Sequence, residues 1–407
     1  MGEKPEGPIE PETRELKISV VDVEEGLPKY SRKTRRSRLT SNFRRVFDFR
    51  NKSDPSPWPQ LIRRLIYLFT AALLLAIFAV IIYHSLLIAL VVRISPPKQS
   101  SNGLTQIVAE WTEPGVNSTS PSWLPNFSRD VVPKAIHSHN DYWRQVPLFD
   151  ALSLGITGVE ADCHLINGEL FVGHTNSSLR PNLTLRSLYL DPLTDILTNQ
   201  NAGSSVASTS GINGVWDTQP SRGIILMTDL KTEGFSTLEA VQEQLEPFRQ
   251  KGWLTYWNGT AVVPGPITHV GTGNTPFEAV LNSSYANSTY RDVFFDAPLN
   301  ELSEIYNASN SYYTSASLTG VLGGESKIPR NGLSRKQMIF LQGQVNQAAE
   351  LGLASRYWDI PAWPVSRRVN IWHQLEELGI GMLNVDAIDE AARWNWRWCN
   401  VLGLELC

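Results

Sequence analysis

Residues 135–175 read AIHSHNDYWRQVPLFDALSLGITGVEADCHLINGELFVGHT, and their periodicity sets the expected fold. The apolar patches AIH, GVEADCHL and LFVGHT are each short enough for a buried strand, while PLFDALSLG has helical spacing and a glycine stop. The stretch reads strand, helix, strand, strand. Alternate residues of a strand share a face, so Glu160, Asp162 and His164 point one way and Ala161 and Cys163 the other. Carboxylates are costly to bury alone, and such a face needs a cation, a basic partner or a wet cavity. A metal ion at one mouth of a barrel meets that need.

Downstream the alternation of strand and helix continues. GIILMTDLK, residues 223–231, is a strand of apolar residues bounded by Gly223 and ending in Asp229 and Lys231. Further strands are expected at residues 267–270, 293–296, 356–360 and 382–385. Helices are expected over TLEAVQEQLEPFRQKG, SRKQMIFLQGQVNQAAELG, SRRVNIWHQLEELG and AIDEAARWNW. Eight candidate strands alternating with helices predict an α/β fold, a (β/α)8 TIM barrel, and residues 131–398 match the ~250 residues that such a barrel takes. The Gly-rich fingerprint of a doubly wound open sheet does not follow the first strand. His139, Glu160, Asp162, His174, Asp229 and Asp296 fall near the C-terminal strand ends, where barrel enzymes carry their chemistry.

The chain ahead of the barrel is different in kind. Residues 1–60 lack apolar periodicity and read as a disordered basic tail, with twelve Lys and Arg between Lys29 and Arg64 against Asp48 and Asp54. Residues 65–92, LIYLFTAALLLAIFAVIIYHSLLIALVV, carry no formal charge and exceed the ~20 residues that cross a bilayer, so a transmembrane helix is expected within 61–93. Basic residues crowd its N-terminal flank. That predicts a single-pass membrane protein with a cytosolic N-terminus and a lumenal or extracellular barrel, on the secretory route. Eight Asn-x-Ser/Thr sequons follow the helix and one precedes it, in agreement. Residues 94–130, rich in Pro, Ser, Thr and Asn, read as a stalk, and 399–407 as a C-terminal tail. Three cysteines allow one bridge at most, with Cys399 and Cys407 the candidate pair. A formal net charge of -4 argues against nucleic acid as a partner, and the oligomeric state is left open.

Two histidines, three carboxylates and a lysine at four strand ends suit hydrolysis of a phosphodiester. Glu160, Asp162 and Asp229 would hold a hard divalent cation, Mg2+ or Ca2+, which neutralises phosphate oxygens. One histidine would take a proton from the attacking group, or attack directly, and the other would protonate the leaving alkoxide. Lys231 would add fixed positive charge at the phosphate. His137 shares a face with His139, and either can be the reacting residue, although His139 lies nearer the strand end. His164 reads as packed or supporting, His269 and His373 as structural, and Asp141 and Asp296 as rim or supporting carboxylates.

Strand one with His139, VEAD with Glu160 and Asp162, and VGH with His174 resemble the glycerophosphodiester phosphodiesterase and phospholipase C-like barrel superfamily. The sphingomyelinase D branch is similar at MTDLKT, where Asp229 and Lys231 correspond to its strand-four metal aspartate and lysine, and at RYWDI, where Trp358 looks like its active-site tryptophan. Through HSHNDY, VEAD, VGHT, TDLKT, RYWDIPAWP and NVD the chain most resembles the fungal altered inheritance of mitochondria protein 6 family. By that resemblance His139 and His174 are the catalytic pair, Glu160, Asp162 and Asp229 the metal ligands, and Lys231 and Trp358 the contacts of a phospholipid or other phosphodiester. His139-Asn140-Asp141 stands where glycerophosphodiesterases have His-Arg-Gly. Two rival readings are kept: an amidohydrolase-type metal hydrolase, which His137, His139, Lys231 and Asp386 resemble with His269 as a further ligand, and a catalytically inactive barrel that binds lipid.

Overall fold

The computed structural model describes residues 58–94, 101–115, 124, 126–202, 211–393, 400–401 and 404–405. Nearly all of the basic tail, together with Cys399 and Cys407, lies outside the described residues. Helix α1, Trp58–Ile94, contains the expected span and is long and apolar enough to cross a membrane.

After helix α2 (Gly103–Glu110) come strand β1 (Lys134–Ser138), helix α3 (Phe149–Ser153), the long strand β2 (Ile156–Ile166) and strand β3 (Glu169–Val172). Helix α4 (Asp191–Gln200), strand β4 (Ile224–Leu230), helix α5 (Gly234–Gln244) and strands β5 (Ile267–Gly273), β6 (Val293–Pro298) and β7 (Ser311–Ser317) follow. The barrel ends with helix α6 (Arg335–Glu350), strand β8 (Ala354–Trp358), helix α7 (Val365–Glu377), strand β9 (Met382–Val385) and helix α8 (Ile388–Arg393). All of these strands but β3 run parallel, in the order β1-β2-β4-β5-β6-β7-β8-β9, and β9 pairs back onto β1 with Leu383 opposite Ile136. The expected eight-stranded parallel barrel is therefore present.

The alternation of side chains builds two cores. Val159, Ala161, Cys163, Leu226 and Leu230 face outward and pack beneath the helices, whereas Ile225, Met227, Val270, Tyr313 and Met382 form a separate apolar cluster inside the barrel. Burial of each Val, Leu, Ile or Met among them stabilises by about 1.5–3 kcal/mol. Above that interior cluster the inward positions turn polar, and this change of chemistry along one face creates the site.

Three expectations are corrected. LFVGHT is not a barrel strand: β3 lies antiparallel to β2, with Val172 opposite Cys163. The strand that completes the barrel is β7, SYYTSAS, a segment with no apolar run to mark it. Residues 101–115, expected in the stalk, carry α2, which Asn102 and Thr105 cap reciprocally and whose Leu104 is fully buried in the main core.

Candidate functional site

The hairpin of β2 and β3 explains how His174 reaches the barrel mouth. Asn167 and Gly168, both at positive φ, form the tight turn that two-residue hairpins favour. The returning strand ends with the Gly173 amide donating to the Asp162 carbonyl at 3.1 Å, which sets the His174 side chain over the Asp162 carboxylate, Nδ1 to Oδ2 3.2 Å. His164 holds the turn from behind, its Nε2 2.9 Å from the Gly173 carbonyl oxygen. Asn140, at φ 49, bends the chain after β1 into a short helical turn, and Tyr142 comes back with its hydroxyl 2.8 Å from Asp162 Oδ2.

Asp162 and Asp229 are direct partners across β2 and β4, and Glu160 lies two residues below Asp162 on the same face. One carboxylate oxygen from each of Glu160, Asp162 and Asp229 lies within 4.8 Å of the others. Glu160 Oε2 and Asp162 Oδ1 are buried and accept no hydrogen bond. Orphaned oxygens of this kind are costly unless something positive meets them, and an all-oxygen donor set suits a hard cation. The cluster can therefore hold a metal ion.

Charge around the cluster is arranged in layers. Beneath it, Arg356 is fully buried and donates to Asn384 Oδ1 at 2.8 Å, Ser315 Oγ at 2.9 Å and Asp296 Oδ2 at 3.2 Å, with Nη1 3.8 Å from Glu160 Oε2. His137 Nε2 lies 3.5 Å from that same oxygen, and Gly158 opposite has no side chain because a Cβ there would stand 2.5 Å from His137 Nδ1. Burial lowers the His137 pKa to about 4, so this ring stays neutral. Burial disfavours the Glu160 carboxylate, yet His137, Arg356 and His139 together hold its pKa well below the usual range.

At the mouth the two remaining histidines flank the cluster. His139 is a quarter exposed, with Nδ1 2.8 Å from Asp386 Oδ1 and Nε2 3.9 Å from Glu160 Oε2. Burial works against its charge, but the Asp386 hydrogen bond and nearby carboxylates outweigh it, so the His139 pKa is raised and that of Asp386 lowered. His174 packs against Trp143, ring centroids 5.1 Å apart. Two imidazoles, each tied to a carboxylate, can move protons on two sides of a ligand held between them. Beside His174 a cleft of about 340 Å³ opens, lined by Trp111, Trp143, Leu183 and Leu188 and by the charged Glu113, Arg144 and Arg180.

Not every expected position lies on the rim. His137, Asn140, Asp141 and His164 are all buried, as is the side chain of Asp296 in its pairing with Arg356. Trp358 is 41% exposed, two residues beyond Arg356 on the mouth side of β8. His269 faces the helices, 2.9 Å from Thr228 Oγ1, and takes no part in the cluster, which removes the further ligand of the amidohydrolase reading. Sequence reasoning missed Tyr142, Arg356 and Asn384. Trp358 and Asp386 entered through resemblance, and a period of two applied back from them picks out Arg356 and Asn384, two residues before each.

Asp141 ties the loop down, accepting from the Leu148 amide at 2.7 Å and the Tyr189 hydroxyl at 3.1 Å. Burial pushes its carboxyl up from 3.8 to about 6 despite those bonds. A folded pKa above the unfolded one means that the folded state binds the extra proton, so stability is lost as pH rises through that window. Asp141→Asn cannot ionise, so its stability relative to the parent chain should rise by about 3 kcal/mol between roughly pH 4 and 7. Thermal unfolding of both full chains in nanodiscs over a pH series checks this, and a pH-independent difference contradicts it.

Comparison with known proteins agrees with this architecture. Residues 125–296 match the AIM6-like phosphodiesterase domain. The chain is 35% identical over 271 residues to the altered inheritance of mitochondria protein 6 homolog of Arthroderma benhamiae, covering 65% of this chain and 84% of the relative. Altered inheritance of mitochondria protein 6 of Eremothecium gossypii is 32% identical over 306 residues, 72% of this chain and 76% of its own. The Saccharomyces cerevisiae protein of that name is 31% identical over 282 residues, 65% and 72%. With a phosphodiesterase-type barrel, an acidic cluster at its mouth and relatives matched over most of their length, this chain belongs to the altered inheritance of mitochondria protein 6 family.

Proposed function

We propose that the protein is a membrane-anchored, metal-dependent phosphoric diester hydrolase acting on a lipid-derived phosphodiester, a phospholipase C-like or glycerophosphodiesterase-like activity. The observation that carries this reading is the carboxylate cluster, with its orphaned Glu160 and Asp162 oxygens, between two histidines that each have a carboxylate of their own. Glu160, Asp162 and Asp229 would hold Mg2+ or Ca2+, which when bound neutralises the non-bridging phosphate oxygens. His139, oriented through Nδ1 by Asp386, takes the proton of the attacking hydroxyl at Nε2. His174 gives a proton to the leaving alkoxide, and Lys231 and Trp358 meet the phosphate and the organic part of the substrate. The cleft beside His174, lined by Trp111, Trp143, Leu183 and Leu188 together with Glu113, Arg144 and Arg180, offers both apolar and charged surface for that part.

The anchor is α1, with the N-terminus on the cytosolic side and the barrel lumenal or extracellular. Support comes from the basic flank ahead of the helix and the sequons after it.

The full chain in nanodiscs, offered a lysophospholipid, a sphingophospholipid and a glycerophosphodiester, is expected to turn over a lipid diester with Mg2+ or Ca2+. Chelation should stop turnover and restored cation should recover it. Turnover that persists in chelator removes the mechanism, and binding without turnover makes this an inactive lipid-binding barrel.

A further inference from the structure

Lys231 follows the last residue of β4, on a flexible stem that leaves it a quarter exposed. Its ammonium is already engaged, with Nζ 2.7 Å from Asp229 Oδ2 and 3.1 Å from Asp162 Oδ2. Both carboxylates belong to the cluster of three. Packed so closely they repel one another, and two cations relieve this from opposite sides: Arg356 below, next to Glu160, and Lys231 above. Arg356 is fixed by its bonds to Asn384, Ser315 and Asp296, whereas among the described contacts Lys231 is held only by the two carboxylates. Among the oxygens that its ammonium does not touch, Asp162 Oδ1 and Glu160 Oε2 are buried without hydrogen bonds.

We propose that Lys231 is the resident counter-cation of Asp162 and Asp229, that it competes with a divalent cation for them, and that cation binding frees its ammonium for the phosphate of the diester. This rests on the metal-site reading above. A compact ammonium on a four-carbon stem can leave a carboxylate pair and remain within reach, which a guanidinium locked on several sides cannot do. Two positive centres sharing the same oxygens repel, so the lysine weakens cation binding while it is in place. Once displaced it strengthens diester binding, so the cation and the diester promote each other's binding by the same factor.

Calorimetric titration of Mg2+ and of Ca2+ into the full chain in nanodiscs separates the outcomes. Lys231→Met is expected to bind the cation at least tenfold more tightly than the parent chain, and Lys231→Arg within about threefold of it. With cation saturating, Lys231→Met should bind a non-hydrolysable lipid phosphonate at least tenfold more weakly, so the two affinities move in opposite directions. Should Lys231→Met fail to fold, Lys231→Gln, which also lacks the charge, takes its place with the same expectation. Cation affinity in the neutral variant that is equal to or below the parent's overturns the competition and leaves the metal site standing. Absence of cation binding in both chains overturns the metal site, and the competition with it.

Discussion

Asp162→Asn is expected to reduce cation affinity beyond detection by calorimetry and to lower turnover by roughly 10³-fold or more, the several kcal/mol that a bound metal supplies at a phosphoryl centre. The residue is placed for this effect. Its Oδ1 is buried without a hydrogen bond, while its Oδ2 gathers the Tyr142 hydroxyl at 2.8 Å, Lys231 at 3.1 Å and His174 at 3.2 Å. Asparagine keeps the shape but brings an amide group among donors and withdraws the charge that any cation needs. Asp296 is the control that makes the result specific. It is equally buried, yet its oxygens are taken by Ser315 at 2.5 Å, Thr272 at 3.0 Å and Arg356 at 3.2 Å, and it is not in the cluster. Asp296→Asn should therefore cost stability, on the order of 3–5 kcal/mol for a broken buried pair, while the folded fraction keeps its cation affinity within about tenfold. If the two variants lose cation binding alike, the site is not where Glu160, Asp162 and Asp229 converge.

Much of this arrangement was legible in the sequence because the barrel repeats one rule. Alternation along β2 put Glu160 and Asp162 on one face, and the β2–β4 register sets Asp162 opposite Asp229. What escaped was where that rule meets other chemistry. Strand β7 was passed over because its inward residues mix two chemistries: Tyr313 joins the apolar cluster inside the barrel, whereas Ser315 bridges Asp296 and Arg356, so an apolar residue at 315 would leave both charges short of a partner. LFV was rightly a strand but wrongly a stave of the barrel. Asn167-Gly168, a short hairpin signal between two apolar patches, marked the reversal that the strand count overlooked. The same hairpin carries His174 back over Asp162, so the error in topology concealed the reason why His174 stands at the mouth. Composition misled in residues 101–115, where Asn102 and Thr105 cap a helix whose Leu104 and Ile107 share a buried face. Arg356 could not be weighed from sequence alone, because its value lies in three partners on three other strands and in Glu160.

The second large effect separates proton transfer from cation binding. His139→Ala is expected to lower kcat by 10²- to 10⁴-fold, on the order of what a positioned acid or base contributes, with cation affinity close to the parent's. The distances favour this separation. His139 Nε2 is 3.9 Å from Glu160 Oε2, too far for a hydrogen bond, while its Nδ1 is 2.8 Å from Asp386 Oδ1. Asp386 also lies where Arg144 fastens the ends of β1 and β9, donating to the carbonyls of Asp386 and His139 at 2.5 and 2.9 Å. The imidazole is therefore aimed by its carboxylate as well as by the backbone. Asp386→Asn keeps the backbone clamp and removes the charge, so it should cost less, roughly 10- to 10²-fold in kcat, with little change in KM. Added imidazole should restore part of the turnover of His139→Ala and none of that of Asp386→Asn, whose own ring still fills the space. His137→Ala offers the counter-test. That ring is fully buried below Glu160, against Tyr313, and cannot reach a substrate hydroxyl. Its loss should reduce stability and loosen Glu160 before it touches proton transfer. Imidazole rescue of His137→Ala rather than His139→Ala would exchange the roles of the two histidines and move the attacking group to the inner side of the cluster.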